Sequence, residues 1–167
     1  YTLWHTLSLH DALPISPPDL LHDQREEDGG SLVFDSDYLQ EPLEILEAPV
    51  VDLELSSSQP VAMIAIRLSD IATDDNATRV TYGLLNLTHR DSNEMPQFLE
   101  PGKRYRVRVQ LNDIAQSFPK GHRFRISIST SYWPLAWIPP QSTRLTIYTG
   151  NSSLILPIRK PRESDKN

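Results

Sequence analysis

The sequence predicts an all-β fold, an antiparallel β-sandwich of the jelly-roll type, and three observations carry that prediction. From Ser31 onward apolar residues recur at every second position, the period of a strand with one buried and one wet face. About nine such runs are separated by the turn signals "SSSQP", "TDDNA", "EPGK", "FPKG" and "TGNSS". No stretch has a long helical periodicity, and 14 prolines against 6 glycines point to proline-rich loops between strands.

Taken in order, Ser31 to Phe34 and Leu43 to Glu47 are the first short strands, and "VVDLEL" from Val50 alternates briefly as a third. Val61 to Leu68, "VAMIAIRL", is apolar almost throughout, which reads as a central strand covered on both faces. In Thr78 to Arg90 the inward set is Val80, Tyr82 and Leu84, then Leu85 and Leu87, and the slip in phase predicts a β-bulge close to Gly83. "RYRVRVQL" places Tyr105, Val107, Val109 and Leu111 inward and Arg104, Arg106, Arg108 and Gln110 outward. "RFRISIST" turns Phe124, Ile126 and Ile128 inward and Arg123, Arg125, Ser127 and Ser129 outward. "STRLTIYT" and Ser153 to Ile158 complete the set.

The sandwich is expected over residues 31–160, followed by a polar tail at 161–167. "TLSLHDALPI", Thr6 to Ile15, is a codon-by-codon translation of ACT CTT TCC CTA CAC GAC GCT CTT CCG ATC, a widely used sequencing-library adapter. Residues 1–16 are therefore expected to be non-native, and His5, His10 and Asp11 carry no functional weight.

Composition narrows the function classes. Hydrophobic residues make up 38% and charged residues 23%, as in a soluble globular domain. A net charge of −6 gives no reason to expect nucleic acid or an anionic membrane as partner. No apolar run approaches the roughly 20 residues that span a bilayer. With no cysteine, disulfides and thiolate metal sites are excluded, and the cytoplasm is favoured over export, although compartment and homo-oligomerisation stay open.

Nucleophilic catalysis has no footing in the residues. A hydrolase elbow needs Gly-x-Ser-x-Gly at a strand-to-helix turn, and none of the six glycines brackets a serine in that way. His122 stands at the head of a strand and, by alternation, starts on the same inner face as Phe124, which marks it as a structural, hydrogen-bonded histidine. Asp35 with Asp37, and Asp74 with Asp75, offer oxygen ligands, yet neither pair continues into the Gly and Glu of a calcium loop. No catalytic residue, metal or cofactor is expected. The sequons at Asn76, Asn86 and Asn151 matter only in a eukaryotic secretory setting. More informative is "SYWPLAWIPP", where Tyr132, Trp133 and Trp137 lie among three prolines just after a strand. Such rings stack on sugars, dock on a protein surface, or fold back over the end of the sandwich.

The order of "DQREEDGGSLVFDSDYLQEPLEILEAPVVDLEL", "VAMIAIRLSDI", "TRVTYGLLNLTHRDS", "LEPGKRYRVRVQLNDIAQSFPKGHRFRISISTSYWP" and "SLILPI" resembles the C-terminal domain of X-Pro dipeptidyl-peptidases and the related CocE/NonD acyl hydrolases, which include cocaine esterases and cephalosporin acylases. The likeness runs from about Leu20 to Pro161 and is most specific over Leu111 to Pro134, around the F-x-x-G-H-R signature of Phe118, Gly121, His122 and Arg123. It implies a galactose-binding-like jelly roll packed against an upstream α/β-hydrolase domain that carries a Ser-His-Asp triad. Residues 17–30 would be the junction to that domain, Leu20 and Leu21 the nearest candidates for a wall of its substrate pocket, and Tyr132, Trp133 and Trp137 the docking rings. No triad member falls on this chain, and His122 is not one. "AWIPPQ" lacks the Asn-rich stretch that many relatives carry there. The competing reading is a carbohydrate-binding module with Trp133 and Trp137 as a planar, solvent-facing platform.

Overall fold

The computed structural model describes residues 2–4 and 23–160. Two four-stranded antiparallel sheets face each other. The first has the order β1 (Thr2–Trp4), β10 (Arg144–Ile155), β4 (Val50–Ser57), β7 (Arg104–Gln110). In the second the order is β2 (Leu32–Asp35), β9 (Arg123–Ser129), β5 (Met63–Ile71), β6 (Ala77–Asn86). A small third sheet pairs β3 (Leu43–Glu47) with β8 (Ile114–Phe118), and a one-turn helix α1 (Arg25–Asp28) precedes β2. Thr2–Trp4 pairs along β10, so these residues join a sheet that the sequence reading began only at Ser31. Leu20 and Leu21 lie outside the described residues.

Alternation works as the physics of a half-buried strand requires. Val51, Leu53 and Leu55 of β4, Val107 and Val109 of β7, and Leu145 and Ile147 of β10 meet Ile64, Ile66 and Leu68 of β5 and Phe124, Ile126 and Ile128 of β9 in one core. The central strand β5 is buried on both faces, as its continuous apolar run predicts.

Several details differ from the sequence reading. The bulge in β6 falls at Val80, because Leu68 pairs with Thr81 and Ser69 with Arg79. Tyr82 and Leu84 consequently face outward, onto Met63, Ala65 and Tyr132, while Val80 and Leu85 pack on the core. Gly83 is needed for another reason. A Cβ there would stand 2.7 Å from the Gln110 carbonyl oxygen and 2.8 Å from Leu111 Cδ2, so only glycine lets β6 cross so close to the end of β7. Thr81 Oγ1 and the Asn112 N–H complete this crossing, donating to Asn112 O (2.9 Å) and Tyr82 O (3.0 Å).

At the end of the chain, "STRLTIYT" and the start of "SLILPI" form one strand. Tyr148 pairs with Glu54 and Ser153 with Asp52, so "TGNS" loops out without reversing the chain. The Glu54 N–H donates to Ser152 Oγ, which in turn donates to Tyr148 O, while Asn151 Nδ2 donates to Glu54. Those polar side chains close a bulge where they also spell a turn. Alternation does not reveal strand β8, and the run after Asn86 becomes a 3-10 turn at Leu87–His89.

The last difference matters most for function. Ser127 and Ser129 point outward from β9 as expected, yet both are buried. Something covers the outer face of the second sheet.

Candidate docking face

The covering begins at the F-x-x-G-H-R signature. Phe118 is fully buried and meets Phe124 edge to face at 4.5 Å. The chain then turns through Pro119–His122. The His122 N–H donates to Pro119 O at 3.3 Å, and Gly121 at φ +84° fills the position of a type II turn that side chains avoid. His122 Nδ1–H donates to the Asp70 carboxylate at 2.9 and 3.0 Å, tying the head of β9 to the end of β5. Arg123 bonds to Asp75 at 2.6 Å, reaches Asp35 at 3.4 Å and lies over the Tyr38 ring. Among the described residues no hydroxyl bonds to the His122 ring, so this His–Asp pair is half of a triad in outline only.

Next along the outer face lies a layer of charge with little water around it. Asp28, at the end of α1, is clamped by Arg67 Nη2 (3.1 Å), Arg125 Nη1 (3.2 Å) and Ser127 Oγ (2.5 Å). The side chains of Asp28 and Arg67 are each 5% exposed, which makes this a buried ion pair that is costly to break from one side. Arg125 also grips Asp35 through two parallel bonds of 2.7 and 2.8 Å. That bond holds the Asp35 carboxyl below the ordinary carboxylate range, against the opposing effect of burial. Asp35 thus titrates lower in the folded chain than in the unfolded one. Its contribution is present above about pH 4 and is lost as the pH falls through its folded value. Asp35→Asn is therefore expected to flatten the acid limb of a urea-midpoint profile below about pH 4, with little change in slope from pH 5 to 8. An acid limb as steep as in the parent chain would show that Asp35 contributes nothing to it.

Beyond this layer stands the aromatic loop. Tyr132 is 8% exposed and belongs to the sandwich itself. Its hydroxyl accepts from Arg79 Nη1 at 2.5 Å, the edge of Tyr82 meets its ring at 5.6 Å, and Arg67 lies over the ring face at 5.4 Å. Burial pushes the Tyr132 hydroxyl upward in pKa, with the Arg79 bond opposing. The Ala136 N–H donates back to Tyr132 O at 2.8 Å, closing the first turn of the loop. From this root the two tryptophans project. Trp133 is 40% and Trp137 80% exposed, and their rings stack on each other at 4.9 Å with 24° between planes. A groove of about 260 Å³ runs beside Trp137, lined by Val61, Met63, Leu84, Ile138 and Pro139 among others.

Of the residues singled out from sequence, the structure thus puts Phe118, Gly121, His122 and Arg123 at one end of the second sheet and Tyr132, Trp133 and Trp137 in a single loop. Alternation and motif both miss Arg67, Arg79 and Asp28, which support that loop. The one available signal was an arginine inside the otherwise apolar "VAMIAIRL".

The described residues form an antiparallel sandwich in which the His122–Asp70 and Asp28–Arg67 pairs tie elements of the fold together, with Trp133 and Trp137 exposed on a braced loop. Residues 2–163 match the family described as the X-Pro dipeptidyl-peptidase C-terminal non-catalytic domain, and the chain belongs to that family. It is 25% identical over 103 residues to the cocaine esterase of Rhodococcus sp. (strain MB1 Bresler), covering 62% of this chain and 18% of that protein. Its fold is similar to an α-amino acid ester hydrolase (TM-score 0.74, 26% identity, 84% of this chain and 28% of that one). Similar in fold too is an aminopeptidase from the marine sediment archaeon Thaumarchaeota archaeon (TM-score 0.78, 19% identity, 88% and 30%). A third is a CocE/NonD family hydrolase from Staphylococcus aureus (TM-score 0.69, 15% identity, 84% and 32%). The matched part of the chain thus spans from 18% to 32% of the length of these relatives.

Proposed function

We propose that this chain is the part of a serine hydrolase that carries no catalytic residues, and that it buttresses an α/β-hydrolase domain and helps to close its substrate cleft. The observation that carries the reading is the braced aromatic loop. A domain that stands alone seldom displays an indole 80% exposed beside an apolar groove, because such a patch invites association. A catalytic domain in the same polypeptide is the natural cover, since each relative is several times longer than this chain. Trp133 and Trp137 act as the anchors and Tyr132 as their support. The chemistry of the whole protein would be attack of a serine on an ester or amide carbonyl, with histidine as base, and every group in that step lies on the partner domain. Leu20 and Leu21 would stand near the cleft.

The sugar-binding alternative fits the geometry less well. A stacking platform needs indoles side by side in one plane, whereas these lie face to face and shield one another.

The test is turnover of an aryl acetate and of an aminoacyl ester. The chain alone is expected to hydrolyse neither, because among the described residues no hydroxyl is paired with a histidine in the arrangement a nucleophile needs. The same chain expressed in one polypeptide with the coding sequence upstream of Pro17 is expected to be active, with activity abolished at a Gly-x-Ser-x-Gly serine in the added part. Turnover by the chain alone that vanished on mutating a serine within 31–160 would overturn the reading.

A further inference from the structure

We infer that Arg67 is a positioning residue: it links Asp28, at the end of α1, to Tyr132, at the root of the aromatic loop, so that the stacked pair Trp133–Trp137 is held only while Asp28 is charged and in place. The use of this relay in docking rests on the proposed function above. The relay itself is a property of the chain alone.

The guanidinium of Arg67 is almost out of water, and it serves both sides at once. Its Nη2 donates to Asp28 Oδ1 at 3.1 Å and to Ser31 Oγ at 2.9 Å, while its plane lies over the Tyr132 ring. Its Nε has no hydrogen-bond partner, and its second carboxylate, Glu27 at 3.6 Å from Nη1, is 53% exposed and a weaker counter-ion than Asp28. The other arginine on Asp28 is differently placed. Arg125 keeps its paired bonds to Asp35 whatever happens at Asp28. Loss of the Asp28 charge therefore falls on Arg67. A buried cation without its counter-ion moves to another acceptor or to water. With Asp28 neutral, Glu27 is the carboxylate left to Arg67, and closing that 3.6 Å pair would shift the guanidinium from its place over Tyr132. Tyr132 then keeps Arg79 and Tyr82 but loses one face of its clamp, and Trp133 follows directly in the chain.

Stacked indoles give an exciton couplet in circular dichroism, which reads the loop directly, and Trp137→Phe identifies the band. Asp28→Asn keeps the shape of the side chain and removes its charge. The couplet of the 167-residue chain is expected to fall by roughly half or more at a temperature where the strand signal is unchanged. Adding Tyr132→Phe to Asp28→Asn should take away little beyond the larger single loss, the mark of groups acting as one unit. Ile66→Val, which weakens the core without touching the relay, should leave the couplet at full amplitude. If Asp28→Asn does not fold, Arg67→Lys carries the same test. An ammonium can neutralise Asp28 but cannot also hold Ser31 and cover the ring, so the couplet falls. A couplet at full strength in Asp28→Asn or Arg67→Lys overturns the relay, and so does an equal fall in Ile66→Val. A couplet that responds as expected in a chain whose Trp137→Ala leaves the joined hydrolase unaffected keeps the relay and discards the docking.

Discussion

Phe118→Ala is expected to destabilise this chain by about 3–5 kcal/mol, read as a lower midpoint in urea at unchanged slope. The size follows from where the ring sits. Phe118 has no exposure, it packs edge to face on Phe124, and across the small sheet it pairs with Leu43. Truncation removes the transfer energy of the ring and leaves a cavity that the neighbouring strands cannot fill. The small sheet enters the common core through Phe118 and Ile45, so the damage should have an address. Amide exchange in Ile114–Phe118 should quicken more than in β4 or β5. The same truncation at Phe98, which is 74% exposed, should cost roughly 0.5 kcal/mol or less. Similar losses at the two sites would mean that Phe118 is not a core residue, and with that the structural reading of the whole signature would fail. Phe118, Gly121, His122 and Arg123 would then need another explanation, of which a binding site is the obvious one.

What the sequence shows of this fold depends on how local the physics is. Strands β4, β7 and β9 are legible because a period of two assigns faces without any knowledge of what lies opposite. Strand β6 is legible as a strand but not in its facing. Tyr82 and Leu84 are as apolar as a core set, and the second layer that buries them, Tyr132 and its loop, lies some fifty residues further on. The buried state of Ser127 is hidden for the same reason: its cover is Asp28, 99 residues away. In "TGNSS" the turn chemistry is genuine, yet Ser152 and Asn151 spend their hydrogen bonds on closing a bulge within one strand. The aromatic loop is legible because two tryptophans among prolines stand out in any composition. Its support is not, since nothing in the neighbourhood of Arg67 or Arg79 names a carboxylate or a tyrosine at the far end of the chain.

In a protein that joins this chain to the proposed catalytic domain, Trp137→Ala is expected to cost roughly 2–4 kcal/mol of stability, and the same change in the isolated chain about 0.5 kcal/mol or less. The difference between the two proteins is the quantity that matters. With 80% of its surface in solvent, Trp137 has little to lose when the chain stands alone. Covered by a partner it would bury most of an indole, and a large aromatic at the centre of an interface typically carries energy on that scale. Trp133 is half-covered already and stacked on Trp137, so Trp133→Ala should cost more in the isolated chain and less than the sum in the double variant. The brace at Tyr132 and the three prolines of the loop explain why such rings can be effective anchors. A loop already ordered by its own chain loses little entropy on docking, so more of the burial appears as association. The melting transitions of both proteins, with and without the substitution, decide the matter. Equal losses would place the indole in the domain's own packing, against its exposure. No loss in either would leave the aromatic face without a partner in the same polypeptide, and the docking would have to be given up.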